Sequence, residues 1–106
     1  MNHTLRALAA PIRREILALV WEEERPAGDI ADRFDVTFGA VSQHLRVLRE
    51  AGLVAVRPEG RRRFYRARRE TLGPLAQALE AEWGARLTRL KTLAEEEMAD
   101  DGHGRD

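Results

Sequence analysis

Apolar residues recur every three or four positions between residues 38 and 50, a spacing that places side chains on one face of an α-helix. That face consists of Val41, Leu45 and Leu48. Thr37 stands directly before the segment, and a threonine oxygen can accept a free backbone N–H at the start of a helix. Gly52 follows it, and glycine most easily takes the left-handed conformation that ends a helix. The pattern therefore predicts a capped helix over residues 38–50 with one buried side.

A shorter apolar pattern precedes this helix and predicts another one. Its inward residues are Ile30, Ala31 and Phe34. Asp35 and Val36 then form a tight turn before Thr37. Two short helices joined by such a turn make a helix-turn-helix, predicted here over residues 28–50, and the second helix of this motif can enter the major groove of DNA.

The side of the second helix that faces away from the core carries no large apolar residue. It consists of Gly39, Ser42, Gln43 and Arg46. Glutamine can bond adenine through N6 and N7, serine can bond several base edges, and arginine can bind guanine or a phosphate. Taken alone, such a face is more typical of a helix that meets only water, so the rest of the chain has to decide.

A basic hairpin follows the second helix. Residues 53–57 alternate and are rich in valine, which predicts a strand, and residues 62–67 predict the returning strand after a turn at 58–60. The hairpin, residues 53–67, forms a wing with Arg61, Arg62 and Arg63 at its tip. One interpretation of these arginines is a solvated strand edge whose charge only prevents aggregation. Beside a helix-turn-helix, they favour contact with phosphates or the minor groove.

Helices are also predicted at both ends of the chain. Residues 4–9 and 11–24 form two short ones, and apolar residues at helical spacing predict a long one over residues 70–98. At about 1.5 Å per residue the long helix spans roughly 40 Å, more than one small domain can cover, so we expect a second subunit against it. The polar, glycine-containing residues 99–106 predict a disordered tail. The positions expected in the dimer interface are Leu5, Leu8, Leu75, Leu79, Trp83, Leu87 and Leu90.

The composition fits one small domain. With 106 residues and 43% apolar content, the chain can build a core that gains from a partner subunit. The absence of cysteine excludes disulfides, thiolate metal sites and cysteine nucleophiles. No apolar run approaches the roughly 18 residues of a membrane span, and no signal peptide is recognisable. We therefore expect a cytoplasmic protein with a single domain over residues 1–98.

The net charge of zero hides an asymmetry. Residues 1–70 hold 14 arginines and 10 acidic residues, whereas residues 71–106 hold 4 basic and 8 acidic residues. Between residues 37 and 69 there are 9 arginines against Glu50 and Glu59, a net of +7. A basic block of this kind indicates a surface that meets a polyanion.

Two stretches carry a family resemblance. They read LRALAAPIRREILALV and FDVTFGAVSQHLRVLREAGLVAVRPEGRRRFYR, and the run VSQHLRVLREAGLV with the following basic hairpin is the most specific signal. Over about residues 4–98 the chain resembles the ArsR/SmtB-type repressors. Its FDV turn and the tryptophan in its last helix resemble the metal-independent, SdpR-like branch. The resemblance implies a mostly α fold with a small β-hairpin: a winged helix-turn-helix domain with a long C-terminal dimerisation helix.

The resemblance also implies a homodimer that binds a palindromic operator and represses transcription, with the first and last helices at the dimer interface. Residues 61–63 lie where the family's wing meets the DNA backbone. Phe38 and Gly39 depart from the polar or Arg-Pro pair that is usual at the start of the recognition helix, and Phe38 is open to two interpretations, contact with a thymine methyl or local packing. The residues predicted to contact DNA are Thr37, Phe38, Gly39, Ser42, Gln43, His44, Arg46, Arg61, Arg62, Arg63 and Tyr65.

No metal site or cofactor is predicted. Metal sensors of the family use cysteines before the turn or histidine and aspartate in the last helix, and this chain has neither set. His44 lies about 60° from the centre of the buried face, which favours a half-buried, hydrogen-bonding histidine over a phosphate contact. A weaker alternative is a terminal site built from His3, Asp100, Asp101 and His103.

Other functions are less consistent with the sequence. An enzyme is not expected, because no Gly-rich phosphate loop, catalytic triad or pair of acids in a cleft is recognisable. A winged-helix module that binds protein would carry apolar residues on the outer helix face or lack wing arginines. A non-specific chromosome-binding protein would not need serine and glutamine in the groove. Trp21 and Trp83 are candidates for an effector pocket, although core or interface positions are more typical of tryptophan.

Overall fold

The computed structural model describes the backbone of residues 2–104 and the side chains of residues 3–86, 89 and 91–97. The chain is mostly helical, with one three-stranded antiparallel sheet. It divides into two compact units, Met1–Gly73 and Pro74–Asp106. Among the described residues, none of the helices combines the length and apolarity that crossing a bilayer needs.

The first two helices, α1 (Asn2–Ala9) and α2 (Pro11–Leu19), are separated by one residue. Arginine side chains of α2 also form hydrogen bonds with the end of α1. The last carbonyl groups of a helix have no partner within it. Arg13 Nε donates to the carbonyl of Ala7 at 2.7 Å, and Arg13 Nη2 donates to that of Arg6 at 2.9 Å. Arg14 donates in the same way to Leu8. These two arginines therefore bind the end of α1.

Helix α2 ends at Leu19, earlier than the sequence pattern predicts, because the carbonyls that follow bond elsewhere. Arg25 Nε donates to the Leu19 carbonyl at 2.7 Å, and the Ala67 N–H donates to the Val20 carbonyl at 3.0 Å. Arg69 Nη2 donates to the Trp21 carbonyl at 3.0 Å. The chain thus leaves the helix in order to join the sheet.

The helix-turn-helix consists of α3 (Ala27–Ala31) and α4 (Phe38–Glu50). Helix α4 has the predicted bounds, and Thr37 Oγ1 accepts the Ala40 N–H at 3.1 Å as the predicted N-cap. Helix α3 is shorter than predicted, and Phe34 lies half-buried in the turn that follows it. At the C-terminal end of α4, Gly52 adopts φ 76°. The N–H groups of Gly52 and Leu53 bond back into the last turn of α4, at 2.9 Å each, in the arrangement of a Schellman motif.

The sheet is formed by β1 (Arg25–Pro26), β2 (Val54–Glu59) and β3 (Arg62–Ala67), in the order β1-β3-β2. Strands β2 and β3 form the predicted wing, but its turn is shorter than predicted. Pro58 and Glu59 pair with β3, so that Gly60, at φ 61°, and Arg61 remain as the turn. Proline is tolerated there because β2 is an edge strand. Strand β1 is an addition to the prediction.

The core of the Met1–Gly73 unit is apolar and draws on helices α2, α3 and α4 and on the start of the wing. The largest fully buried side chains are Ile16, Leu17, Val20, Ile30, Val41, Leu45, Leu48 and Leu53. The predicted inner face of α4 is therefore confirmed. Among the described side chains, no polar or charged one is classed as buried, so the fold of this unit rests mainly on the hydrophobic effect.

The predicted helix over residues 70–98 is divided in two. Helix α5 (Arg69–Leu72) is followed by Gly73 at φ 56° and ψ −130°, and α6 (Pro74–Gly104) then begins. A residue before proline is disfavoured in the helical conformation, and proline has no N–H to continue the ladder. At its other end α6 continues to Gly104, beyond the boundary predicted at residue 98 and into the tail predicted over residues 99–106. Residues 105 and 106 lie outside the described residues.

The predicted interface positions differ in exposure. Leu79 is buried, Leu8, Leu75 and Trp83 are half-buried, and Leu5 is 58% exposed. The side chains of Leu87 and Leu90 lie outside the described residues. Their assignment to a dimer interface stays a prediction.

Candidate DNA-binding surface

One groove separates the exposed face of α4 from the wing. Its volume is about 580 Å³. Phe38 and Ser42 lie on the α4 side, Tyr65 lies on β3, and residues 26–28 at the start of α3 complete the wall. Five arginines also line it: Arg46, Arg49, Arg61, Arg62 and Arg63. The fold thus brings the two basic features predicted separately, helix and wing, to a single surface.

Several arginines outside the groove are paired with acidic neighbours. Arg57 Nε donates to Glu24 at 3.1 Å and Arg57 Nη1 to Glu59 at 2.7 Å. The hydrogen bond from Arg57 lowers the pKa of Glu24, and the two carboxylates raise the pKa of the guanidinium, so Glu24 and Arg57 are both charged at neutral pH. Arg68 and Arg69 are also in ion pairs, at 3.4 Å and 2.9 Å, with glutamates 70 and 22.

The groove arginines are different. Arg46 pairs with Glu50 at 3.2 Å, one helical turn away and exposed. Within the described part of the chain, Arg49, Arg61, Arg62 and Arg63 form no ion pair with an acidic side chain. The groove therefore concentrates uncompensated positive charge, the property expected of a site for a polyanion.

An aromatic ring orients part of the wing. The guanidinium of Arg62 lies 5.3 Å from the centroid of Phe64, and that of Arg57 lies 4.8 Å from it. Such cation–π contacts hold an arginine against a surface while its N–H groups remain free to donate. Phe64 is a site residue that sequence reasoning missed, although the alternation of arginines and aromatics in RRFYR is its signal.

The outer face of α4 is exposed as predicted. Gly39, Ser42, Gln43 and Arg46 are all exposed. Phe38 is exposed on the same side, so the expectation that this side carries no large apolar residue is wrong. Residues 38, 42, 46 and 49 follow at spacings of four and three, which places them along one line of the helix that faces the wing. Arg49 was missed, although this spacing could have identified it. Gln43 is turned about 100° from Ser42 and lies beside the groove rather than in its wall.

Two residues predicted to contact DNA, Tyr65 and His44, are less accessible than the prediction implies. Tyr65 has an exposed fraction of 9%, so it forms the floor of the groove and offers little surface to a ligand. His44 is half-buried, and its Nδ1 lies 3.1 Å from Arg13 Nη1. Because a guanidinium only donates, Nδ1 accepts, and the neutral ring carries its proton on Nε2. His44 is not in the groove wall, and its hydrogen-bonding role is the first of the two predicted ones.

The same surroundings shift the titration of His44. Burial, and then the positive charge of Arg13, lower the pKa of the imidazole below its ordinary value of 6.5. The ring is therefore neutral at physiological pH and acts as an acceptor that connects α4 to α2.

Among the described residues, no group of three or more His, Asp or Glu side chains is arranged to hold a metal ion. Of the terminal site weighed from the sequence, only His3 has a described side chain. The side chains of Asp100, Asp101 and His103 lie outside the described residues.

Comparison with known proteins agrees with this geometry. Residues 10–56 match the family described as "Bacterial regulatory protein, arsR family". The chain is 37% identical over 95 residues to HTH-type transcriptional regulator Rv2034 of Mycobacterium tuberculosis. This match covers 90% of this chain and 89% of that protein. The chain belongs to the ArsR family.

Two further ArsR-type relatives match over most of their length. Transcriptional repressor SdpR of Bacillus subtilis is 34% identical over 65 residues, covering 61% of this chain and 72% of that protein. The solution structure of the homodimeric winged helix-turn-helix DNA-binding domain Mb0332 of Mycobacterium bovis superimposes with a TM-score of 0.68 at 30% identity, over 78% of this chain and 77% of that one. The predicted family and the winged helix-turn-helix fold are thus confirmed.

Proposed function

We propose that this ArsR-family protein regulates transcription by binding a specific sequence of double-stranded DNA in the groove between α4 and the wing. The observation that carries the proposal is the charge distribution. Outside the groove, Arg57, Arg68 and Arg69 are paired with glutamates, whereas four arginines that line it lack such a partner among the described residues. A surface with this charge distribution attracts phosphates.

The two sides of the groove suit different tasks. Helix α4 has 13 residues and an outer face that is polar apart from Phe38, and a major groove about 12 Å wide admits an α-helix. Ser42 and Gln43 on that face are suited to base edges. Arg61 in the two-residue turn, and Arg62 and Arg63 at the start of β3, are suited to the backbone or the minor groove. Base contacts give specificity, and the wing supplies affinity that is independent of sequence.

We further propose that two copies bind a palindromic operator and repress transcription in the cytoplasm. Leu5 on α1 is 58% exposed, as a residue that is covered only in a dimer would be. One similar domain is described as homodimeric and one relative as a repressor. Two recognition helices related by a two-fold axis read half-sites about 10–10.5 bp apart, or a multiple of that distance.

Selection from a pool of random duplexes tests the proposal. The expected result is an enriched, two-fold symmetric motif that binds more tightly than random DNA. Enrichment without a motif, with equal affinity for all duplexes, would favour a non-specific chromosome-binding protein. No binding to any duplex would favour a protein-interaction module.

A matched pair of variants tests the charge argument. Arg62→Ala removes a groove arginine, whereas Arg68→Ala removes an arginine that Glu70 already neutralises. We expect Arg62→Ala to weaken binding to all duplexes and to reduce the slope of log K against log salt by about one. Arg68→Ala should leave that slope close to the wild-type value. Equal slopes in both variants would show that the groove is not the phosphate-binding surface.

A further inference from the structure

The first residue of the recognition helix is an exposed aromatic side chain. Phe38 begins α4, is 56% exposed and lines the groove together with Ser42 and Arg46. More than half of its surface is therefore open to a ligand, which favours a contact with DNA over local packing, the other interpretation from the sequence. Five arginines share the groove with it, so an apolar ring stands exposed on a basic surface.

The next residue is a glycine that the fold itself does not require. A Cβ on Gly39 would meet only Thr37 Oγ1, at 3.9 Å, and Gly39 is not among the glycines with positive φ. A glycine inside a helix is less favourable than alanine. What Gly39 provides is bare backbone beside Phe38, where a ligand can approach the first turn of α4 closely.

The edges of the bases in the major groove are mostly polar, and the C5-methyl group of thymine is their apolar feature. On the basis of the proposed DNA-binding function, we propose that Phe38 is a specificity-determining residue that contacts a thymine methyl in each half-site, with Gly39 allowing the close approach. Thr37 holds the first turn of α4 in place through its bond to Ala40. The groove arginines favour a nucleic acid over an apolar protein segment as the occupant.

Replacement of thymine by deoxyuridine, one position at a time, tests this contact. The probe is the duplex motif returned by selection, and deoxyuridine removes only the methyl group. We expect one symmetric pair of positions at which wild-type affinity falls about fourfold per half-site, the value for one buried methyl-sized group. At those positions, 5-methylcytosine paired with guanine should bind more tightly than cytosine.

Phe38→Ala should bind the thymine and deoxyuridine duplexes equally, because the methyl then has no partner. Arg62→Ala is the control, since it should bind more weakly but keep the wild-type ratio between the two duplexes. The exposed position of Phe38 means that the variant should fold, and the deoxyuridine scan of the wild type does not depend on any variant.

The outcomes separate this inference from the proposed function. If a motif is selected but no position is sensitive to deoxyuridine, the contact is refuted and the DNA-binding function stands. The same follows if Phe38→Ala keeps the thymine preference, as it would if Phe38 bound a protein partner. If no motif is selected at all, the proposed function itself fails.

Discussion

At the scale of single residues, Arg13 connects three helices. Its guanidinium binds two carbonyls at the end of α1 and the imidazole of His44 on α4, while its backbone belongs to α2. A positive charge on His44 would remove the acceptor and place two cations 3.1 Å apart. The position of the recognition helix is therefore connected to the protonation of one histidine.

This arrangement predicts a pH dependence of stability. Because the folded protein lowers the pKa of His44 below 6.5, the unfolded chain binds more protons in the interval between the folded pKa and that value. The free energy of unfolding must then rise with pH across this interval and fall as the solution is acidified below about 6.5. Urea denaturation at a series of pH values measures it.

Two variants isolate the contribution of His44. His44→Gln keeps an acceptor oxygen for Arg13 but does not titrate, so the wild type should lose stability relative to this variant on acidification. His3→Gln removes an exposed histidine and should keep the wild-type pH dependence. A constant stability difference between wild type and His44→Gln at all pH values would contradict the assignment.

Gln43 carries a second prediction at this scale. It is exposed on α4 and suited to adenine, so Gln43→Ala should cost about 1–3 kcal/mol at one base position and relax the preference there. Binding measured on a set of single-base operator variants shows the effect. Uniform weakening of every duplex, as expected for Arg62→Ala, would mean that Gln43 contacts the backbone.

Residues with local partners were predictable from sequence, and those with distant partners were not. Thr37 bonds three residues ahead, so a pattern of neighbours reveals its role. His44 and Arg57 find their partners 31 and 33 positions away. The sequence could place His44 near the buried face but could not identify Arg13, because only the fold brings them together.

At the scale of elements, the end of α4 depends on Gly52. The left-handed conformation at φ 76° costs a residue with a side chain roughly 1–2 kcal/mol. A Cβ there would meet Thr71 Cγ2 at 3.7 Å, an ordinary contact, so the backbone conformation and not crowding sets the cost. We expect Gly52→Ala to lower the free energy of unfolding by about that amount.

Gly39→Ala is the natural comparison for this measurement. It makes the same chemical change near the other end of α4, but at a helical backbone conformation where the new methyl would meet only Thr37 Oγ1, at 3.9 Å. It should raise the free energy of unfolding by roughly 0.5–1 kcal/mol. If both variants were destabilised equally, the conformation of Gly52 would not be the cause.

Elements with strong internal signals were predicted best. Helix α4 has an N-cap, one apolar face and a terminal glycine, and its bounds are as predicted. Strand β1 has two residues and is defined by its pairing with the distant strand β3, so no local sequence pattern predicts it. Gly73 and Pro74 indicate the break between α5 and α6. The break was not predicted, because the apolar residues keep their helical spacing on both sides of it.

At the scale of the whole molecule, the proposed dimer has an accessible test. Leu5 is exposed in the single chain, so Leu5→Glu should fold normally yet place an unpaired charge in the subunit interface, which is strongly unfavourable. Sedimentation should show a shift from dimer to monomer, and operator affinity should fall with it, because the second half-site is then bound independently.

Val36→Glu provides the control for sedimentation. Val36 is another large apolar residue on the surface, 46% exposed, but it lies in the turn before α4 and not on α1. The Val36→Glu variant should therefore sediment like the wild type. A wild type that sediments as a monomer at micromolar concentration while still binding its operator as a single copy would refute the dimer.

Strand β1 also has a consequence for the thermodynamics of recognition. Pro26 is at once the last residue of β1, where it pairs with Phe64 of the wing, and the N-cap of α3. The sheet and the helix-turn-helix are therefore continuous, with no flexible linker between them. Fixing a residue in one backbone conformation costs roughly 1–2 kcal/mol of entropy, and here that ordering already occurs during folding. Helix and wing meet the duplex preorganised, so most of the interaction energy remains available as affinity.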